Sequence, residues 1–241
     1  MELWEQELSA YNERLAQVEM WRPDLSRLVD RLPVVPLEYV PSAEGLAALN
    51  TSLFVVTGCV APALQGALAF SILWREGLFG TISLPARFLL ELWGAAHFAR
   101  QTLGRMEESG DVRVALRRIQ RLVLGARSEV RLPWGGLSGE KSIHVMDFVR
   151  SLADVYPGVE GTYDFLCESC HPSLLRLMTW SLVGSVYDNW TNERFRAEAH
   201  PVVDRTLQAV EGALDGIVLD ATQTLEMALP YIETDRWQDM G

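Results

Sequence analysis

Lysine is nearly missing from this chain: Lys141 is the only one, and the other side-chain cations are arginines and four histidines. With 32 acids against 21 lysines and arginines the net charge is −11, which argues against a general nucleic-acid or anionic-membrane surface, because phosphate binding needs a surplus of cations. Cysteine is scarce too. Cys59, Cys167 and Cys170 are an odd number and too few for a disulfide framework. Residues 1–5 carry neither the basic nor the apolar stretch of a secretory leader, so a reducing, cytoplasmic setting is expected, in which the sequons at Asn50 and Asn189 are irrelevant. Strand-like alternation, internal repeats and low-complexity tracts are absent. So are a Walker loop, a glycine-rich dinucleotide turn, an H-E-x-x-H pair and a G-x-S-x-G elbow, and most common cofactor enzymes lose their support with them.

What is present is helix-forming apolar sequence. At 241 residues and 49% hydrophobic content, the chain can bury a sizeable core without metal or disulfide. Trp4, Leu8, Tyr11, Leu15 and Val18 alternate steps of four and three, one stripe of a helix that Pro23 closes. Further helices are expected from Ser42 toward Thr57, over 63–77, over 84–105, and from Asp111 onward. Others are expected over 143–155, over 162–169, up to about Tyr187, and over 202–229. The sum is an all-α, irregular multi-helix bundle of about eight helices, one domain over 1–241 with a candidate subdomain break in the glycine-rich loop 133–141. Val203, Leu207, Val210, Leu214, Ile217, Ala221 and Leu225 form a nearly heptad seam, which suits either the inside of the bundle or the pairing of two protomers.

Residues 51–74 contain no charge, long enough to cross a bilayer. Gly58, Pro62, Gln65 and Gly66 interrupt the run, and a break between two buried helices around 58–62 is expected instead, with no stable membrane insertion.

Several constellations could carry chemistry. Cys167-x-x-Cys170-His171 matches the spacing of covalent haem attachment, and with Cys59, His144 or His200 as fourth ligand it would make a zinc site; two small buried thiols on a helix is the competing and preferred reading, so no cofactor and no metal is expected. Arg113, Arg117 and Arg121 recur every fourth residue with Arg118 beside them, a cationic stripe for RNA phosphate or a protein partner. Between Arg100 and Arg131 there are eight arginines against four acids. Asp204, Glu211, Asp215 and Asp220 could equally answer that stripe within the chain or between chains. Arg87 and Glu91 stand four apart in an otherwise apolar helix, so both should be largely buried and paired, with Tyr163 or His171 completing a polar cluster.

Two resemblances follow from these residues. Arg194 followed by His200 resembles the arginine-histidine pattern of HEPN ribonucleases, helical proteins that dimerise to cleave RNA. It implies catalysis by Arg194 on the phosphate charge and by His200 on the 2′-hydroxyl proton, although Phe195 stands where that family carries asparagine. Arg87-x-x-x-Glu91 with Tyr163-x-x-Leu166-x-Glu168-x-x-His171-Pro172 resembles a group of uncharacterised bacterial all-helical proteins, distantly HEPN-like, over roughly 61–173. That resemblance implies a helical bundle and no established reaction. The leading expectation is a non-enzymatic helical interaction protein, a homodimer or a subunit of a bacterial complex in stress or defence. A HEPN-like ribonuclease or toxin is the alternative, and a metal or haem binder through Cys167, Cys170 and His171 the third.

Overall fold

A computed structural model describes residues 44–76, 78, 81–124, 143–170 and 193–233, with residues 6, 9–10, 12–16, 23 and 27 nearer the N-terminus. Among the described residues 89% are helical and none is in a strand, so the chain is all-α. The helices are α1 (Glu44–Arg75), α2 (Ser83–Ser109), α3 (Val112–Leu124), α4 (Val145–Ser151), α5 (Val159–Cys170) and α6 (Glu193–Glu233), with a further helical stretch at residues 12–16. The candidate break at 133–141 and the helix expected up to Tyr187 lie outside the described residues.

The expected break at 58–62 does not occur: α1 runs unbroken through Pro62. Its buried positions, Leu49, Leu53, Val56, Val60, Ala63, Ala67, Phe70 and Trp74, keep steps of three and four across the proline. A mid-helix proline costs about 3 kcal/mol. Each large side chain buried along the seam returns about 1.5–3 kcal/mol, so the packing outweighs the lost hydrogen bond. Ser52 and Thr57 donate to the carbonyls of Ala48 and Leu53, which satisfies hydroxyls that an apolar environment would penalise.

Helix α2 is the hub and packs against α1, α3, α4, α5 and α6. Pro85 is tolerated because it falls in the first turn, where its missing N–H has no helical partner to lose. Gly110 closes the helix in the left-handed region at φ 68°, its N–H bonding to the Met106 carbonyl, and the chain reverses into α3. His144 caps α4 by accepting from the Met146 N–H through Nδ1.

Helix α6 begins at Glu193, ahead of the expected start at 202, so His200 and Pro201 lie within a helix and not at its beginning. Its seam is answered inside the chain: Val203, Leu207, Val210, Leu214, Ile217 and Ala221 are fully buried against α1 and α2. That choice removes the seam as a surface for pairing protomers.

Candidate functional site

The polar cluster sits where α5 crosses α2. Arg87 Nε donates to Glu91 Oε1 at 2.9 Å, one turn away, and the Tyr163 hydroxyl donates to the same oxygen at 2.7 Å. The guanidinium lies over the Tyr163 ring, 5.4 Å from its centroid. Burial opposes the charge on Arg87, but the Glu91 hydrogen bond and charge more than restore it and hold the guanidinium above its usual range. Burial, then the Glu91 hydrogen bond, pushes the Tyr163 hydroxyl up. Cys167 stands beside them; burial raises its thiol while Arg87 and Tyr163 pull the other way, so it is a poor nucleophile at neutral pH. His171 lies outside the described residues.

The cluster is not deeply buried, contrary to expectation. Arg87 and Glu91 keep 34% and 29% of their side chains exposed. The expectation rested on the apolar neighbours demanding burial, yet two of those neighbours, Leu84 and Phe88, are themselves 54% and 42% exposed. Helix α2 turns an apolar edge outward, and the ion pair shares it.

On α3, Arg113 and Arg117 are exposed while Arg118 and Arg121 are half-buried, so the four do not form one solvated stripe. Arg118 folds back over the Phe98 ring at 4.9 Å, and Phe98 meets Phe148 edge-on at 5.7 Å. Burial, then the positive charges of Arg105 and Arg121, weakens Arg118's hold on its proton. Three of the acids considered as partners for this stripe are engaged elsewhere. Arg14 binds Asp204 at 2.6 Å and Glu211 at 2.9 Å, and Asp220 belongs to an inner network.

That network was not anticipated. Asp220 of α6, buried, accepts from Trp93 Nε1 at 3.0 Å, from Arg100 Nε, and from His97 Nδ1 at 3.1 Å, all on α2. The Gln101 amide nitrogen lies 3.0 Å from His97 Nε2, which makes Nε2 the acceptor and assigns the proton to Nδ1. Both ring nitrogens and both carboxylate oxygens are thereby engaged, so the network ties α2 to α6 and leaves no open valence for a substrate. Its trace in the sequence is faint but present: Trp93, His97 and Arg100 share one helical face, and Asp220 is an acid next to Ala221 in an apolar seam.

The remaining candidates separate. Cys59 is buried in the core, its thiol pushed up to about 12 by burial, whereas Cys167 and Cys170 are half-buried at the end of α5. Among the described residues no three His, Cys, Asp or Glu side chains group closely enough to hold a metal ion. Arg194 and His200 lie on α6, but their side chains are outside the described set.

A surface feature stands apart from all these. The outward face of α1 carries Phe54, Gly58, Ala61, Gln65, Leu68 and Ile72, at steps of four and three, with no charge among them. Phe88 of α2 joins this face, because it lies beside Gly66, where a Cβ would come within 3.4 Å of its ring. By length and composition residues 48–75 could cross a membrane, and half of their most apolar window is buried inside the bundle. Comparison with family models, with curated proteins and with solved structures gave no match.

Proposed function

We propose that this chain is a non-enzymatic helical interaction protein that pairs with a second copy of itself through the outer face of α1 and the adjoining edge of α2. The observation that carries it is the charge-free row of exposed Phe54, Gly58, Gln65, Leu68 and Ile72, with half-buried Ala61 among them. With Leu84 and Phe88 it opens on the order of 400 Å² of apolar surface, in the range of the largest patch on a typical monomer, which is often functional. The row is self-complementary. Laid antiparallel on itself about a two-fold axis between Ala61 and Gln65, it sets Phe54 opposite Ile72 and Leu68 opposite Gly58, where nothing lies within 4 Å of a would-be Cβ. Net charge favours the same face, since copies carrying −11 each repel over most of their surface, whereas the α1 row carries no charge and the one acid of the α2 edge, Glu91, is paired with Arg87. The area is small for a permanent dimer, so the affinity is expected to be micromolar.

Sedimentation velocity from about 1 to 100 µM tests the proposal. A mass moving from 27.0 kDa toward twice that value supports it, as does loss of the shift in Leu68→Glu and Ile72→Glu with unchanged circular dichroism. A monomer throughout, or a dimer indifferent to both substitutions, overturns it. A monomer that floats with phosphatidylcholine vesicles assigns the face to lipid instead.

A further inference from the structure

A cavity of about 400 Å³ opens between the last turns of α2 and the start of α3. It falls within the size range of small-molecule sites. Met106 and Ala115 give it an apolar floor, and exposed Val114 stands at its rim with Arg105 and Arg118. Neither arginine has an ion-pair partner among the described residues, and the pair repels itself, which contributes to the weakened hold of Arg118 on its proton. Apart from Glu108, the other polar side chains of the lining are already engaged. Thr102 donates to the Phe98 carbonyl, Ser109 donates to the Arg105 carbonyl and accepts from the Asp111 N–H, and Asp111 Oδ1 accepts from the Val114 N–H. Two guanidiniums therefore remain as unmatched donors beside an apolar hollow, and one of them is held in place by its stacking on Phe98.

We infer that this cavity binds a small phosphomonoester with an apolar body, its phosphate gripped by Arg105 and Arg118 and its body lying on Met106, Val114 and Ala115. The guanidinium fork matches phosphate geometry, and a phosphate between the two arginines cancels the repulsion that now separates them. Glu108 and Asp111 on the same rim set the charge limit. Two acids offset the two cations, so the rim carries no net positive charge: a single phosphate is held by direct bonds from the two guanidiniums, and a polyphosphate or a nucleic-acid backbone is disfavoured.

Calorimetric titration of the full chain at constant ionic strength, with phenyl phosphate, inorganic phosphate and pyrophosphate as probes, tests the inference. Saturable one-to-one binding is expected for phenyl phosphate and weaker binding for the other two. Arg118→Gln and Arg105→Gln should each weaken it by about ten-fold or more, whereas Arg117→Gln, an equal charge loss on α3 outside the cavity, should change it less than about two-fold. Circular dichroism identifies any variant that fails to fold, and the exposed Arg105→Gln then carries the test. Absence of saturable phenyl phosphate binding overturns the inference, as does equal loss in Arg117→Gln. Tighter binding of a single-stranded RNA that depends on Arg117 as much as on Arg118 overturns it in favour of a phosphate-backbone stripe.

Discussion

Trp93 fills the space that a side chain at Gly216 would need: a Cβ built there would run into the indole ring. The ring cannot step aside, because its N–H is held by Asp220 at 3.0 Å and its face stacks on Tyr156 at 5.8 Å. Gly216→Ala should therefore cost about 3 kcal/mol or more, as overpacking against a fixed ring. Gly104→Ala, mid-helix on the same α2 with nothing within 4 Å, should instead stabilise by about 0.5–1 kcal/mol. Urea unfolding of the two variants checks the contrast, and equal effects would refute the close approach.

Asp220→Ala should remove about 3–5 kcal/mol, since it strands a buried indole N–H and His97 and unpairs Arg100. Asp220→Asn should rescue little, because its amide hydrogens would face three donors. The readout is the urea midpoint at unchanged slope. A loss under about 1 kcal/mol would show that α2 and α6 do not depend on this network.

Glu91→Ala should be milder, about 1–2 kcal/mol, despite breaking an ion pair and a tyrosine hydrogen bond together. Water reaches both charged groups and screens the loss. A cost near 4 kcal/mol in thermal or urea melts would mean that the pair is sealed from solvent.

The buried Cys59 makes stability fall at alkaline pH. Its thiol has a usual value of 9.0 and is pushed up to about 12 in the folded chain, so its contribution is complete below pH 9 and is lost as pH rises toward 12. Tyr163, also raised, adds a loss of the same sign above its ordinary value of 10.0. Urea melts at pH 8, 9.5 and 10.5 should show a shallower decline in Cys59→Ala than in the parent. Ellman's reagent should leave Cys59 unmodified until denaturant is added, and rapid native modification of all three cysteines would contradict its burial.

Apolar periodicity alone determined that this chain is helical, and it placed the buried face of α6, because a seam repeating every three to four residues can be buried only on a helix. It also brought Arg87 and Glu91 within reach of each other, since spacing of four is a local distance. Three things were decided by tertiary structure. Pro62 does not break α1, because the packing of its neighbours outweighs one missing hydrogen bond. The apolar side chains around Arg87 include two that face solvent, because which side of a helix is covered depends on the helices beside it. Asp220 meets Trp93 and His97 from more than a hundred residues away. No local pattern encodes a contact of that range; it exists only once α2 and α6 have packed, and burial then leaves each polar group no partner but the others.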